Sequence, residues 1–379
     1  MLYPELYDTQ LSIEEYKRYS RHLVLDEIGL VGQKRLKNGK VLIVGIGGLG
    51  NLAVMYLAAA GIGSIGIVDY DLVNLSNLHR QILYNTNYVN CRKVKASYIQ
   101  IQQLNHICNI VMYDTKLNLN NAVAILSEYD IIIDASDNFL TRYILNDISL
   151  LLHKPIVYGA ILKTIGHISV FNYKGGANYR DLYPKQPSDK LIASCSEGGI
   201  VGGVAAIIST LQCNETLKIL LGLDGVLSGE MIVYDFAKVT FRRININKQP
   251  SYTKKSILQN LKVLEKILFA SNSQDKLFNF SDILPSDFQN ISEINSYLLI
   301  DVRTSQEFGG FHLPGAKNIP IALISTTENV NFLSGQVKDG KIIIVYCQSN
   351  SRSLAASIIL SKLKIKASRL KGGIAALGY

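Results

Sequence analysis

The chain of 379 residues is long enough for two domains, each with a core to bury. Its hydrophobic content of 48% and charged content of 18% exclude an intrinsically disordered chain. The formal net charge of +9 raises the question of nucleic-acid binding, but the lysines and arginines are scattered and form no dense basic block. We therefore expect no nucleic-acid partner. The charge indicates either a basic face for an acidic protein or no particular role.

The chain contains an odd number of cysteines, none of them at CxxC spacing: Cys91, Cys108, Cys195, Cys213 and Cys347. This pattern, with an N-terminus that lacks the features of a signal or transit peptide, favours a reducing compartment. The abundance of Ile, Asn, Lys and Tyr is typical of an AT-rich genome, which suggests a bacterial cytoplasm or, for an organelle-encoded protein, a plastid stroma. The apolar stretch 200–223 contains Gln212, Asn214, Glu215 and Lys218, so we predict no membrane span.

Apolar runs and helical spacing alternate through the first two thirds of the chain. They predict strands at 41–44, 65–68, 109–113, 131–134, 155–158, 168–172 and 231–234. They predict helices at 13–25, 51–60, 92–104, 139–152 and 198–221, and one more that ends over 125–129. The segments 71–84 and 173–195 lack periodicity and are predicted to be loops. This alternation predicts an α/β fold with a mainly parallel sheet and helices on both faces.

The composition changes after Phe241, where polar stretches at 245–255 and 271–280 flank a short predicted helix at 256–269. We predict a first domain over 1–244, a linker over 245–282 and a small second α/β domain over 283–379. The second domain has predicted buried strands at 298–302 and 341–346, and a helix at 353–363.

The first predicted strand, Val41 to Val44, leads into the sequence Gly45-Ile46-Gly47-Gly48-Leu49-Gly50. Glycines let the backbone turn tightly and approach a ligand, and the free N–H groups at the start of the next helix favour a phosphate. Asp69 ends the second strand about 20 residues further on, where Rossmann-like folds place the carboxylate that bonds a ribose hydroxyl. The pattern favours an adenine nucleotide, with a glycine turn that binds no ligand as the alternative.

Charged residues follow the strands at the same edge of the predicted sheet. Arg80 lies in the loop after Asp69, Lys93 opens the next helix, and Asp137 and Asn138 follow a third strand. Ligands of open α/β sheets bind outside the carboxyl ends of the strands. Two cations that offset phosphate charge and a carboxylate that holds Mg²⁺ suit nucleotidyl transfer better than hydride transfer. Taken singly, Arg80 and Lys93 would be solvated surface charges and Asp137 a helix cap.

The sequences GIGGLG, VDYDLVNLSNLHRQ and ASDN, together with Lys93, resemble the ubiquitin-activating adenylyltransferase superfamily. The resemblance covers residues 16–243 and is closest to the bacterial-type adenylyltransferases of the molybdopterin-synthase and thiamine pathways. It implies that ATP adenylates the C-terminal glycine of a ubiquitin-like protein, with release of pyrophosphate. It also implies a homodimer, in which Arg21 of the RYSRH segment reaches into the active site of the other subunit.

The resemblance assigns a role to each matching position of the nucleotide site. Asp69 would bind the ribose, Gly48 would lie against the nucleotide, and Asp137 would bind Mg²⁺. The ATP phosphates would contact Ser76, Asn77, Arg80 and Lys93, and the nucleotide-binding set also includes Leu78, His79 and Asn138.

Cys195 precedes a predicted helix, a position that favours the thiolate form, and it matches a crossover-loop cysteine of the family that takes part in thioester or disulfide chemistry in some members. The alternative is an inert core cysteine.

The sequence departs from the family in its metal ligands, because bacterial-type members carry two CxxC pairs that bind a structural zinc. Asn178 and Asp181 stand in place of the first pair, and no CxxC occurs near 240–255. We therefore expect no zinc, and some other contact must stabilise this region.

In the second domain, a predicted strand leads directly into Cys347-Gln348-Ser349-Asn350-Ser351-Arg352, and a helix follows. Such a loop forms a nest of N–H groups for an anion, in which Cys347 would be held as a thiolate or persulfide with Arg352 closing the loop. The loop resembles the active site of rhodaneses, supported by LIDVR at 299–303, Glu307-Phe308, HLPGA at 312–316 and KGGI at 371–374.

Two positions of this domain differ from the rhodanese pattern. Asn350 and Phe311 each stand where a glycine is usual, and Phe311 is expected to reshape a turn. An inactive rhodanese fold used for binding is the alternative, although both Cys347 and Arg352 are retained. A phosphatase would need a longer loop.

Together the two domains predict one reaction sequence. The first activates a ubiquitin-like sulfur carrier that ends in Gly-Gly, and the Cys347 persulfide, loaded by a donor such as a cysteine desulfurase, gives a thiocarboxylate. Cys195 would resolve a disulfide. The expected carrier is the small subunit of molybdopterin synthase, with thiamine and tRNA-thiolation carriers as alternatives.

Two readings from other classes stay open at this point. An NAD-dependent Rossmann oxidoreductase would bind NAD(H) and tolerate Arg80→Ala and Lys93→Ala. A non-enzymatic scaffold would bind carriers without catalysing pyrophosphate exchange.

Overall fold

The computed structural model describes residues 6, 8–185, 199–248, 281–289, 297–348 and 351–378. The chain divides into two compact units, Met1–Glu265 and Lys266–Tyr379. The last strand of the first unit ends at Asn245 and the first strand of the second begins at Ser281, so strand residues occupy both ends of the predicted linker. The predicted short helix at 256–269 lies outside the described residues. The extent of the linker stays a prediction.

The helices of the first unit are α1 (Ile13–Arg18), α2 (Ser20–Leu23), α3 (Gly29–Asn38), α4 (Gly50–Ala60), α5 (Lys93–Leu104), α6 (Leu119–Ser127), α7 (Phe139–Leu152), α8 (Tyr179–Leu182) and α9 (Gly202–Leu221). Its strands are β1 (Lys40–Val44), β2 (Ser64–Val68), β3 (Asn109–Tyr113), β4 (Ile131–Asp134), β5 (Ile156–Leu162), β6 (Ile165–Phe171), β7 (Glu230–Asp235) and β8 (Thr240–Asn245).

These strands form one sheet in the order β3-β2-β1-β4-β5-β6-β7-β8. The first five are parallel, and β6, β7 and β8 are added antiparallel. The central strands β1 and β4 are buried on both faces because their apolar runs pack against helices on each side. The predicted mainly parallel sheet with helices on both faces is confirmed.

Several predicted elements differ in extent from the observed ones. The predicted first helix is interrupted at Tyr19, which separates α1 from α2, and the helix predicted from 198 begins at Gly202. The predicted loop at 173–195 contains the short helix α8. Strand β8 was not predicted. Every one of its residues is exposed, so its sequence shows no alternation of apolar and polar side chains.

Helix α9 has the length and composition of a membrane span, but most of it is buried within the first unit. It packs against α4 and against strands β5 and β6, and its buried side chains include Gln212 and Thr216 as well as apolar residues. Burial against other elements of the unit is what a core helix requires, and two of the polar residues that argued against a span, Gln212 and Glu215, are buried.

The second unit contains a smaller sheet of five parallel strands, in the order β11-β10-β12-β13-β9. Its strands are β9 (Ser281–Ile283), β10 (Tyr297–Asp301), β11 (Lys317–Asn318), β12 (Ile342–Tyr346) and β13 (Ala367–Leu370). Its helices are α10 (Pro285–Gln289), α11 (Ser305–Gly310), α12 (Thr327–Lys338) and α13 (Ser351–Lys362). The two strands and the helix predicted for this domain are present as β10, β12 and α13.

Candidate active sites

The glycine loop between β1 and α4 contains glycines of two kinds. Gly45 has a φ of +91°, and a Cβ there would lie 2.8 Å from the carbonyl oxygen of Ala135. A Cβ on Gly50 would overlap the carbonyl oxygen of Gly45. By contrast, a Cβ on Gly47 or Gly48 would meet no atom closer than 3.7 Å. Backbone packing therefore requires glycine at positions 45 and 50, whereas Gly47 and Gly48 leave open space where a ligand can approach.

Asn51, in the first turn of α4, holds this loop in place through side-chain hydrogen bonds. It is fully buried, and its Nδ2 donates hydrogen bonds to the carbonyl oxygens of Gly47 (2.7 Å) and Gly48 (2.9 Å) and lies 3.4 Å from that of Arg80. Tyr84 adds a hydrogen bond from its hydroxyl to the carbonyl of Ile46 at 3.0 Å. Asn51 is not among the site residues predicted from the sequence, although a lone amide in the otherwise apolar run NLAVMYLAAA is a detectable signal.

Asp69 is brought against the glycine loop at the end of β2. Its Oδ2 accepts a hydrogen bond from the Ile46 N–H at 2.7 Å, and its Oδ1 accepts one from the Asp71 N–H at 2.8 Å. The Nζ of the buried Lys93 lies 2.8 Å from Asp71 Oδ2 and 4.0 Å from Asp69 Oδ2. Burial raises the pKa of Asp69, and the nearby Lys93 charge opposes that rise. The structure therefore places three of the charged residues of this edge in one cluster.

Arg80 also lies close to the glycine loop. Its Cδ lies 3.8 Å from where a Gly48 Cβ would be, and its Nη1 donates to the carbonyl of Ser76 at 3.0 Å and lies 3.2 Å from His79 Nε2. Asn77 accepts a hydrogen bond from the Asn74 N–H, so its side chain caps the turn Leu75–Asn77. The Leu78 side chain packs against the core, which leaves its backbone for any ligand contact.

Asp137 follows β4 at the same edge. Its carboxylate is exposed, and the Asn138 Nδ2 lies 3.5 Å from its Oδ1, while Asn138 Oδ1 caps α7 by accepting from the Thr141 N–H. The pKa of Tyr70 is raised mainly by partial burial, and the negative charges of Asp71, Asp137 and Asp69 raise it further. An accessible single carboxylate of this kind fits Mg²⁺, which commonly takes one or two carboxylates together with substrate phosphates and water.

Two other predicted positions are less informative. Arg21 lies exposed on α2, as a contact with a second subunit requires, and that contact stays a prediction. Cys195 lies outside the described residues.

The segment that replaces the first CxxC pair is stabilised by side-chain contacts. Asn178 Nδ2 and N both donate to Asp181 Oδ2, at 2.7 and 2.8 Å, which closes a capping box around α8. Arg180 forms a buried bidentate salt bridge to Asp147, with both N···O distances at 2.7 Å. Tyr179 packs its ring against those of Tyr143, Tyr158, Phe171 and Tyr183. Hydrogen bonds, an ion pair and ring packing therefore hold this segment against the sheet.

In the second unit, Cys347 stands directly after β12 and is 1% exposed. Its Sγ lies 3.4 Å from the Oγ of Ser353, and its carbonyl accepts a hydrogen bond from the Ile374 N–H at 3.0 Å. Arg352, at the start of α13, forms a bidentate salt bridge to Glu307 at 2.7 and 2.9 Å. The strand and the helix predicted on either side of this loop are confirmed, while Ser349 and Asn350 lie outside the described residues.

Phe311 has a backbone conformation that does not depend on glycine, and its expected effect on the turn stays a prediction. Phe311 has φ −163° and ψ 139°, an extended conformation that any residue adopts, so the position does not require glycine. Its carbonyl accepts a hydrogen bond from Arg303 at 2.6 Å, and the neighbouring His312 stacks on Phe308 with ring centroids 4.0 Å apart.

The fold and its two sites define a class of protein: an open-sheet α/β domain with a glycine loop, followed by a small α/β domain with a buried cysteine directly after a strand. The model of the ThiF family matches residues 19–254, and that of the rhodanese-like domain matches residues 284–378. The chain belongs to the ThiF family and carries a C-terminal rhodanese-like domain.

Relatives share this arrangement over most of the chain. A probable molybdopterin-synthase adenylyltransferase from Porphyra purpurea is 40% identical over 373 residues, which cover 97% of this chain and 94% of that protein. A probable adenylyltransferase/sulfurtransferase, MoeZ, from Mycobacterium tuberculosis is 37% identical, with coverage of 97% and 93%. The adenylyltransferase and sulfurtransferase MOCS3 from Aedes aegypti is 37% identical, with coverage of 93% and 83%.

Solved structures support the fold of the first unit. Escherichia coli MccB, crystallised with ATP, has a TM-score of 0.55 at 22% identity, covering 62% of this chain and 73% of that one. PaaA has a TM-score of 0.54 at 23% identity, covering 64% and 86%. At this level of identity the likeness concerns the fold alone.

Proposed function

We propose that this chain uses ATP to adenylate the C-terminal glycine of a ubiquitin-like sulfur carrier and then transfers sulfur to it through a persulfide on Cys347. The observation that carries the first step is the cluster around the glycine loop. Asp69 accepts a hydrogen bond from the Ile46 N–H with Lys93 nearby, and Arg80 lies beside the open backbone of Gly48.

In the adenylation step, the residues of this edge bind and orient ATP. Arg80 and Lys93 offset the phosphate charge, and the helix α4 that follows the glycine loop presents its N-terminal N–H groups and dipole. Asp137 would hold Mg²⁺, which stabilises the charge that develops on the leaving pyrophosphate. The carrier carboxylate attacks the α-phosphorus, a new P–O bond forms, and pyrophosphate leaves with the electrons of the broken bond.

In the sulfur step, the terminal sulfur of the Cys347 persulfide attacks the acyl carbon of the adenylate, and AMP leaves. The product is an acyl disulfide between Cys347 and the carrier. The Cys195 thiolate then attacks the Cys347 sulfur and releases the thiocarboxylate, which leaves a Cys195–Cys347 disulfide for a thiol reductant to reset. A cysteine desulfurase is the proposed class of persulfide donor.

The finer assignments belong to the same proposal. The name of the Porphyra relative supports the small subunit of molybdopterin synthase as the carrier, with thiamine and tRNA-thiolation carriers as alternatives. The protein acts as a homodimer in which Arg21 serves the other subunit's site. It works in a reducing compartment, the bacterial cytoplasm or the plastid stroma, without a nucleic-acid or membrane partner.

Exchange of label between ATP and pyrophosphate tests the adenylation step. Carriers that end in Gly-Gly are expected to stimulate exchange in the wild-type chain, and Asp137→Ala is expected to abolish it. Asp224→Ala removes an exposed carboxylate after α9 and serves as the matched control, with wild-type exchange expected. Carrier binding without exchange would support a scaffold instead, and NAD(H) binding with full tolerance of Arg80→Ala would support an oxidoreductase.

A further inference from the structure

Two side chains on either side of the Cys347 loop are tied to a single segment elsewhere in the second unit. Gln348 Oε1 accepts a hydrogen bond from Arg303 Nη1 at 3.1 Å, and Arg352 is paired with Glu307. Arg303 is itself buried and fixed, because its Nη2 lies 2.7 Å from the Oδ2 of the fully buried Asp301. The stretch from the end of β10 to the first turn of α11 therefore contacts the loop at both ends.

Glu307 is held independently of Arg352. It is the third residue of α11, and its Oε2 accepts hydrogen bonds from the Thr304 N–H at 3.0 Å and from the Thr304 hydroxyl at 2.9 Å, in a capping box. Its two oxygens then meet Nη1 and Nη2 of Arg352 at 2.7 and 2.9 Å. A carboxylate fixed by its own helix cap thus sets the plane of the guanidinium.

We propose that Glu307 is a positioning residue for sulfur transfer: it orients the Arg352 guanidinium toward the anionic sulfur donor and the persulfide at Cys347. The inference rests on the proposed sulfur transfer and deepens it. A guanidinium recognises an anion through N–H groups in a rigid fork, so its plane decides whether that fork meets the donor. The bidentate pair to Glu307 uses one side of the fork and gives the remaining N–H groups a fixed direction.

The burial of the two partners argues for orientation over stability. The Arg352 side chain is 11% exposed, while that of Glu307 is 35% exposed. An ion pair with one partner this open to solvent contributes little to folding. Its larger effect is to remove the rotational freedom of the long Arg352 side chain, at the start of the helix that follows Cys347, which lowers the entropy lost when an anion binds.

Thiosulfate provides a probe for the full-length chain. The Cys347 thiolate attacks the sulfane sulfur of thiosulfate, the S–S bond breaks and sulfite leaves; cyanide then removes the sulfur as thiocyanate and restores the thiolate. Glu307→Gln keeps an acceptor for the helix cap but loses the charge. We expect it to lower kcat/KM for thiosulfate by about 10-fold, mainly through KM, with a melting temperature within about 3 °C of wild type.

Three comparisons make the test decisive. Glu328→Gln removes an exposed carboxylate from the first turn of α12 and is expected to leave kcat/KM unchanged. Glu307→Asp retains the charge and is expected to recover part of the lost activity. If Glu307 acts through Arg352, the double variant Glu307→Gln/Arg352→Lys is no less active than Arg352→Lys alone.

The outcomes separate the inference from the function on which it rests. Wild-type kcat/KM in Glu307→Gln, or losses that multiply in the double variant, would overturn the positioning role. A wild-type chain without thiosulfate activity, or activity that survives Cys347→Ser, would instead refute sulfur transfer at this loop.

Discussion

Replacing Asn51 by leucine tests how the nucleotide loop is held. Leucine has the same branched shape and the same number of side-chain heavy atoms as asparagine, so the change removes the polar contacts without opening a cavity. The two hydrogen bonds from Nδ2 to the carbonyls of Gly47 and Gly48 are lost, as is the contact of Oδ1 with the Leu83 N–H at 3.4 Å. The carbonyl of Gly47 keeps its backbone bond from the N–H of residue 51 at 3.2 Å.

The cost follows from the number of groups left without a partner. Each lost hydrogen bond contributes about 1 kcal/mol, and a buried carbonyl left unpaired costs about 1–3 kcal/mol, so we expect the first unit to lose about 2–4 kcal/mol of unfolding free energy. Because the loop that faces ATP is the part released, we also expect KM for ATP to rise by about 10-fold.

Urea denaturation followed by far-ultraviolet circular dichroism measures the first effect, and carrier-stimulated pyrophosphate exchange at varied ATP measures the second. Asn120→Ala is the matched control, since Asn120 is an exposed asparagine in the first turn of α6. We expect that control to match wild type in both assays. An Asn51→Leu variant with wild-type stability and wild-type KM would refute the role assigned to this side chain.

Three further predictions concern the charged pairs and the glycines. Arg180→Met leaves the buried Asp147 carboxylate unpaired and is expected to lower the melting temperature through a loss of about 3–5 kcal/mol, which Arg180→Met/Asp147→Leu should largely recover in calorimetry. The pKa of Glu307 is lowered from 4.5 to about 2 by its salt bridge. The stability that this pair contributes, about 0.5 kcal/mol after discounting for solvent exposure, is therefore present above pH 4.5 and lost as the pH falls through about 2, so the difference between wild type and Glu307→Gln in urea should vanish there. Gly48→Ala should fold normally and weaken ATP binding in calorimetric titration. Gly50→Ala should unfold the first unit, because its Cβ overlaps the backbone. Equal stability of the two variants would contradict this distinction.

The strands and loops whose sequence pattern has a local physical cause were predicted correctly. The apolar runs of β1 and β4, together with the glycines between β1 and α4, predicted the parallel sheet and its ligand edge, because a doubly buried strand admits few polar residues. The loop after β12 was predicted for a similar reason. Its cysteine directly follows an apolar strand and its arginine lies at the start of the next helix, which is a short local pattern.

Contacts between distant parts of the chain could not be predicted from local patterns. Gly159 and Gly166 lie inside the hairpin β5–β6, where composition favours a turn, yet both are strand residues. A Cβ at Gly159 would lie 2.5 Å from the Gln212 side chain, so this glycine is required by a helix far along the chain. The pairing of Glu307 with Arg352 likewise joins residues that are 45 positions apart, and no local period encodes it.

The two sites share one electrostatic arrangement. In each, a buried cation is paired with a carboxylate that is more open to solvent: Lys93 and Asp71 have side-chain exposures of 7% and 50%, and Arg352 and Glu307 have 11% and 35%. A long cationic side chain without such a partner would lose rotational freedom when an anion binds, and affinity would fall accordingly. The paired carboxylate orders the cation in advance, and because that carboxylate is partly solvated, the ion pair is weak enough for a phosphate or sulfur anion to compete with it. The cation therefore stays in position while its charge remains accessible to an anionic ligand.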